Sequence, residues 1–242
     1  MNNPIIVALD VPTADAAVQL AHSVGPSVGA LKIGMELFTS AGPDIVRRMR
    51  EAGAQIFLDL KFHDIPNTVA KAVAAAVRLD VQMLTIHTSG GLDMMRAAEA
   101  SAQETARSLG RPAPLVLGVT VLTSMDSAQL ASVTLETNVA EQVERLAQLA
   151  AQSGLRGLVC SPLELSALRK SLPASLQLVT PGIRTTPPAA GDDQKRTLGP
   201  LEALAAGANW LVIGRPIYAA PDPAAAARDI LDRIRSIPSI AP

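Results

Sequence analysis

Eight short apolar runs, each bounded by turn residues, constrain this chain more than any other feature: Ile5–Leu9, Ala30–Gly34, Gln55–Leu60, Met83–His87, Leu115–Val121, Gly157–Cys160, Gln177–Thr180 and Trp210–Ile213. Runs this short and this continuously hydrophobic read as strands buried on both faces, which is the pattern of a parallel sheet covered by helices. Helical patterns separate them, among them Pro66 to Arg78, Leu92 to Leu109 and Pro223 to Ile234. Asn138 to Glu141 resembles a capping box, opening a helix whose Val139, Val143, Leu146, Ala147 and Ala150 form one stripe. Eight β-α units in 242 residues match a closed barrel in count and size. The expected fold is therefore α/β, a single (β/α)8 TIM barrel with residues 1–242 as one domain. A doubly wound open sheet is the alternative. No Gly-x-Gly-x-x-Gly turn follows the first run, which weakens a dinucleotide-binding version.

Composition removes several function classes. A net charge of −1 and only five aromatic residues (three Phe, one Trp, one Tyr) argue against a nucleic-acid surface, which needs a basic patch or stacking platforms. The single cysteine, Cys160, excludes an internal disulfide and fits a reducing cytoplasm. It lies within an apolar run and reads as a buried structural thiol. The first apolar run is too short for a signal peptide, and no run approaches the ~18 residues of a membrane span.

Chemistry in such barrels sits at the carboxyl ends of the strands. Read in order, those ends give Asp10, Lys32, Asp59 with Lys61, His87, Thr120 and Thr123, then Pro181-Gly182-Ile183-Arg184 and Gly214-Arg215. On a regular strand, residues two apart share a face, so Asp59 and Lys61 point the same way. A helix cap by Asp64 and a structural ion pair would explain part of this set. Asp10, Lys32, Asp59 and Lys61 together alternate in sign at one mouth, and buried ion pairs seldom beat apolar packing as a source of stability. The eighth end, Gly214-Arg215, suits a phosphate: glycine lets a backbone N–H approach, and arginine supplies an always-charged planar fork. Upstream, residues 183–196 form a polar, Pro/Gly-rich stretch too long for an ordinary connection, and loops of that length are often lids.

The run Asp59-x-Lys61-x-x-Asp64-Ile65-Pro66-Asn67-Thr68, taken with Asp10, Lys32, Pro181-Gly182-Ile183-Arg184 and Gly214-Arg215, resembles the orotidine 5′-phosphate decarboxylase family over nearly the whole chain. The resemblance implies a homodimer of (β/α)8 barrels, without metal or organic cofactor, that converts orotidine 5′-phosphate to UMP in the last step of de novo pyrimidine synthesis. Position by position, it implies Lys61 as the proton donor to C6 and Asp59 against the substrate carboxylate. Lys32 would bridge Asp59 and the ribose, and Asp10 would take a ribose hydroxyl. Asp64, Ile65 and Thr68 would complete the neighbouring subunit's site. Thr123 would hold the pyrimidine edge. Gln194, Arg215 and the Gly214 backbone would hold the phosphate, with Arg184 in the closing loop and Pro181 also among the substrate-binding residues.

Two other readings compete with this one. Relatives that share D-x-K-x-x-D act on sugar phosphates through Mg2+, held by an acidic ligand on the second strand; here that place holds Lys32. A non-catalytic nucleotide-sensing barrel should have lost part of the charged set, and every member is present. Of the histidines, His22 reads as surface, His63 as structural packing, and His87 as a possible lining of the mouth; their spacing matches no metal motif.

Overall fold

A computed structural model describes residues 3–185 and 196–236. Eight parallel strands, β1 (Ile5–Ala8), β2 (Ala30–Gly34), β3 (Ile56–Phe62), β4 (Met83–His87), β5 (Leu115–Val119), β6 (Gly157–Val159), β7 (Gln177–Thr180) and β8 (Trp210–Ile213), pair in chain order. The eighth pairs with the first through Ile6↔Val212, closing the barrel. Closure rules out the open doubly wound sheet. Three strands end earlier than the apolar runs suggest, at Ala8, Val119 and Val159, although Leu9 and Cys160 still donate their N–H groups to the neighbouring strands and Leu9, Val121 and Cys160 remain buried.

Strand alternation divides the chain into two cores. Ile6, Ala8, Ala30, Phe57, Met83, Leu117, Val179 and Val212 point inward and fill the barrel. The residues of opposite parity, such as Ile5, Val7, Leu31, Leu58 and Leu84, pack outward against the helices. Those helices present matching stripes. Helix Pro66–Arg78 starts with a proline in its first turn and buries Val69, Val73, Ala76 and Val77. Helices Leu92–Ser108 and Pro223–Arg235 lie within one residue of the spans read from the sequence.

The helix Val139–Ser153 buries Val143, Leu146, Ala147 and Ala150 as its stripe requires, but its cap corrects the sequence reading. The Asn138 side chain does accept the Ala140 and Glu141 N–H groups. Glu141 binds the Asn138 side-chain amide rather than its backbone N–H, which goes to Glu136. The reciprocal capping boxes occur instead at Asp126/Gln129 and Ser161/Glu164.

The parity that fills the barrel also builds its mouth. Two residues beyond Ala30, Phe57 and Met83 on their strands come Lys32, Asp59 and Thr85, which therefore point into the same lumen one layer higher. The apolar layer beneath them keeps water from entering this polar layer from below.

Candidate active site

A cavity of about 340 Å³ opens above the apolar layer, within the range of small-molecule sites. Asp10, Lys32, Asp59 and Lys61 form its charged wall, and Thr123, Ser124, Pro181, Arg184, Gly214 and Arg215 also line it. Nine of the residues singled out in the sequence are thus brought to one cavity from β1, β2, β3, β7, β8 and the loop after β5.

The charged wall is one connected network. Lys61 Nζ donates to Asp59 Oδ1 at 2.9 Å. Lys32 Nζ lies 3.7 Å from Asp59 Oδ2 and 3.3 Å from Asp10 Oδ1, placing its ammonium between two carboxylates. Burial alone would push the Asp59 carboxyl up, yet Lys32, Lys61 and hydrogen bonds from Lys61 and Thr85 together hold it below its ordinary value. Asp59 is therefore ionised at neutral pH. Gly34 leaves room for this cluster, since a Cβ there would stand 3.1 Å from Lys32 Nζ.

Asp59 and Lys61 share a face, but not by regular alternation. The β3–β4 register runs from Leu58↔Leu84 to Phe62↔Ile86, so Asp59, Leu60 and Lys61 all stand opposite Thr85. Lys61 has φ 51, a left-handed conformation that costs a non-glycine residue about 1–2 kcal/mol. Its N–H leaves the ladder and donates to Thr85 Oγ1 at 2.8 Å, and Thr85 Oγ1 in turn donates to Asp59 Oδ1 at 3.0 Å. The sequence reading missed Thr85. The available signal was its position as a polar residue of inward parity in the middle of the strand Met83–His87, level with Asp59.

Asp64, Ile65 and Thr68 do not reach this cavity; all three are exposed, Ile65 at 65%. Asp64 is not the helix cap either. Ile65 holds that position, and the Asp64 carboxylate accepts the Ile65 N–H at 2.6 Å. His63 is exposed rather than packed inside; its ring lies 5.5 Å from that of His87. His87 does not line the cavity. Burial first, then His63 and Lys61, lower its pKa, so it is neutral at pH 7. His22 is exposed as expected, its Nδ1 paired with the Val18 carbonyl. Cys160 touches the cavity, but its thiol is pushed up to about 12 by burial and is no nucleophile.

Gln194 and most of the long polar segment lie outside the described residues, while both stems are defined. Arg184 N–H donates to the Leu198 carbonyl at 2.9 Å. Arg196 pairs with the buried Glu164 and donates to the Leu122 carbonyl, tying the segment's far end to the loops after β5 and β6. Among the described residues no three His, Cys, Asp or Glu side chains converge to hold a metal, and no helix is long and apolar enough to cross a membrane.

Comparison with known proteins agrees with this geometry. Residues 3–230 match the model of the orotidine 5′-phosphate decarboxylase / HUMPS family. An orotidine 5′-phosphate decarboxylase of Moorella thermoacetica is 51% identical over 236 residues, covering 96% of this chain and 92% of that protein. One from Pseudomonas fluorescens is 53% identical over 231 residues, covering 96% and 97%. The crystal structure of the Lactobacillus acidophilus orotidine 5′-phosphate decarboxylase superposes with a TM-score of 0.86 at 35% identity, covering 97% of this chain and all of that one. A protein of this length, closed into this barrel and matched almost end to end, belongs to the orotidine 5′-phosphate decarboxylase family.

Proposed function

We propose that this single-domain protein decarboxylates orotidine 5′-phosphate to UMP, the closing step of pyrimidine nucleotide synthesis in the cytoplasm, with Lys61 as the proton donor. The observation that carries the reading is the Lys61 ammonium held 2.9 Å from a buried, ionised Asp59 at the rim of a nucleotide-sized cavity. Breaking the C6–carboxylate bond releases neutral CO2 and leaves the electron pair on C6, in the ring plane, where the ring carbonyls cannot delocalise it. A fixed ammonium stabilises that localised charge and then delivers its proton to C6; the resulting amine regains a proton from solvent.

Asp59 serves this step twice. Its carboxylate accepts from the Lys61 ammonium and holds it in place before reaction. It also repels a substrate carboxylate placed beside it, by about 4 kcal/mol at ~4 Å and an effective dielectric near 20, and this repulsion disappears as CO2 departs. Lys32 bridges Asp59 and Asp10, which positions Asp10 for a ribose hydroxyl. Thr123 takes the pyrimidine edge. Arg215 and the Gly214 N–H, at the strand end where phosphates bind in this fold, take the 5′-phosphate with Pro181 and Arg184 beside them. Gln194 is assigned to the same phosphate.

Asp64, Ile65 and Thr68 are exposed on their own protomer, which supports their assignment to a partner's cavity in a homodimer. A magnesium-dependent sugar-phosphate reaction fits less well. The space between Asp10 and Asp59, where a divalent ion would need two carboxylates, holds the Lys32 ammonium. The test is incubation with orotidine 5′-phosphate in EDTA, following the fall in ultraviolet absorbance. Turnover is expected; no turnover, or turnover restored only by Mg2+, would refute the assignment.

A further inference from the structure

The charged set accounts for Lys61 at its ammonium end, but the network also grips it at its backbone. Thr85, fully buried on β4, accepts the Lys61 N–H and donates its only hydroxyl proton to Asp59 Oδ1. The same carboxylate oxygen receives the Lys61 ammonium. A closed ring results, from Lys61 backbone to Thr85 hydroxyl to Asp59 to Lys61 side chain. At this point three residues of β3 stand opposite one residue of β4, and Lys61 holds a left-handed φ. In a register shift of this kind the displaced N–H has no ladder acceptor, and leaving it buried and unpaired is costly.

We propose that Thr85 is a positioning residue for the decarboxylation: its hydroxyl fixes the bulged conformation that aims the Lys61 ammonium, and fixes the Asp59 carboxylate that faces it. The hydroxyl is suited to both tasks because it can accept and donate at once, whereas an apolar side chain of the same shape can do neither. Without it, the Lys61 N–H loses its acceptor and the left-handed backbone its anchor, so the ammonium is no longer held in one place against Asp59. Thr85 is fully buried and absent from the cavity lining, so its effect belongs to the chemical step rather than to nucleotide binding. The assignment rests on the decarboxylase reading.

The experiment compares wild type, Thr85→Val, Thr85→Ser and Thr85→Cys for turnover of orotidine 5′-phosphate and, separately, for UMP affinity. Thr85→Val, isosteric but without the hydroxyl, is expected to lower kcat by roughly ten- to a hundredfold, the range for losing hydrogen bonds to a charged group. Its KM and UMP affinity should stay within about threefold of wild type. Thr85→Ser should recover kcat to within about threefold, and Thr85→Cys, a weak donor of similar size, should fall between. A loss confined to KM, a kcat in Thr85→Val within twofold of wild type, or a Ser variant as slow as Val would overturn the proposal. Failure of both Val and Cys to fold while Ser folds would also overturn it, by making the hydroxyl a requirement of folding. An inactive wild type refutes the decarboxylase reading itself; an active wild type beside an equally fast Thr85→Val refutes only the role of Thr85.

Discussion

Replacing Lys32 with Met keeps the side-chain length and packing of β2 while removing one of the two cations at Asp59. At 3.7 Å and an effective dielectric near 20, the lost attraction is roughly 4 kcal/mol. Part of this is returned because the Lys32 ammonium, at the end of a side chain only 12% exposed, no longer has to be desolvated. Asp59 also keeps its shorter contact with Lys61. The net destabilisation should be about 2 kcal/mol at pH 7, below the ~3–5 kcal/mol of a buried pair broken outright. The sign of its pH dependence follows from Asp59, whose folded pKa is depressed. Such a group contributes stability above its unfolded value of ~3.9, and that contribution is lost as pH falls through the folded value. In Lys32→Met the Asp59 pKa rises, because burial is then opposed by Lys61 and Thr85 alone. The variant takes up its proton earlier as the solution is acidified, so the gap from wild type narrows at low pH. Urea unfolding at fixed protein concentration, repeated from pH 7 to pH 3, should show a midpoint difference near ~0.7 M at pH 7 for an m-value of ~3 kcal/mol/M, shrinking with acidification. A gap that stays constant with pH, or a variant more stable than wild type at pH 7, would refute the electrostatic reasoning.

Three further outcomes are expected. Arg215→Ala should lower kcat/KM for orotidine 5′-phosphate by about a hundredfold and leave the slow reaction of the unphosphorylated nucleoside nearly unchanged, as steady-state kinetics with both substrates would show. Gly34→Ala should fold normally, since Gly34 has an ordinary φ of −91. Its new Cβ would nevertheless stand 3.1 Å from Lys32 Nζ and should cost about ten- to a hundredfold in kcat/KM by displacing that ammonium. Cys160, with its thiol pushed up to about 12, should resist iodoacetamide at pH 8 in the native protein and react on unfolding, a difference readable as one mass increment.

Much of this structure was legible because strand parity is a strong local signal. The inward sequence Ala30–Lys32, Phe57–Asp59 follows from counting by two, and the charges then fall at one mouth without knowledge of any contact. Helix bounds were legible for the same reason: Pro66 opens its helix and Val69, Val73 and Val77 repeat at helical spacing. The bulge at Lys61 was not legible, because a register shift depends on what the neighbouring strand offers, here the hydroxyl of Thr85. The Asn138 cap departed from its motif because Glu136, two residues upstream, competes for the same N–H. Asp64 looked like a helix cap by position, yet its carboxylate turns to the adjacent Ile65 N–H and the cap passes to Ile65. Arg196 was invisible as an anchor because its partner Glu164 lies far away in sequence, at a turn whose burial only the closed barrel creates.

The most direct test of a lysine that protonates C6 is single-turnover decarboxylation by Lys61→Met, with CO2 release followed beside UMP affinity. Loss of CO2 release below detection with UMP affinity retained is the expected result, since the residues proposed to hold the phosphate, Gly214 and Arg215, line the cavity separately from Lys61. Release of CO2 at a rate within tenfold of wild type would mean that the charge forming at C6 is met by some group other than the ammonium beside Asp59.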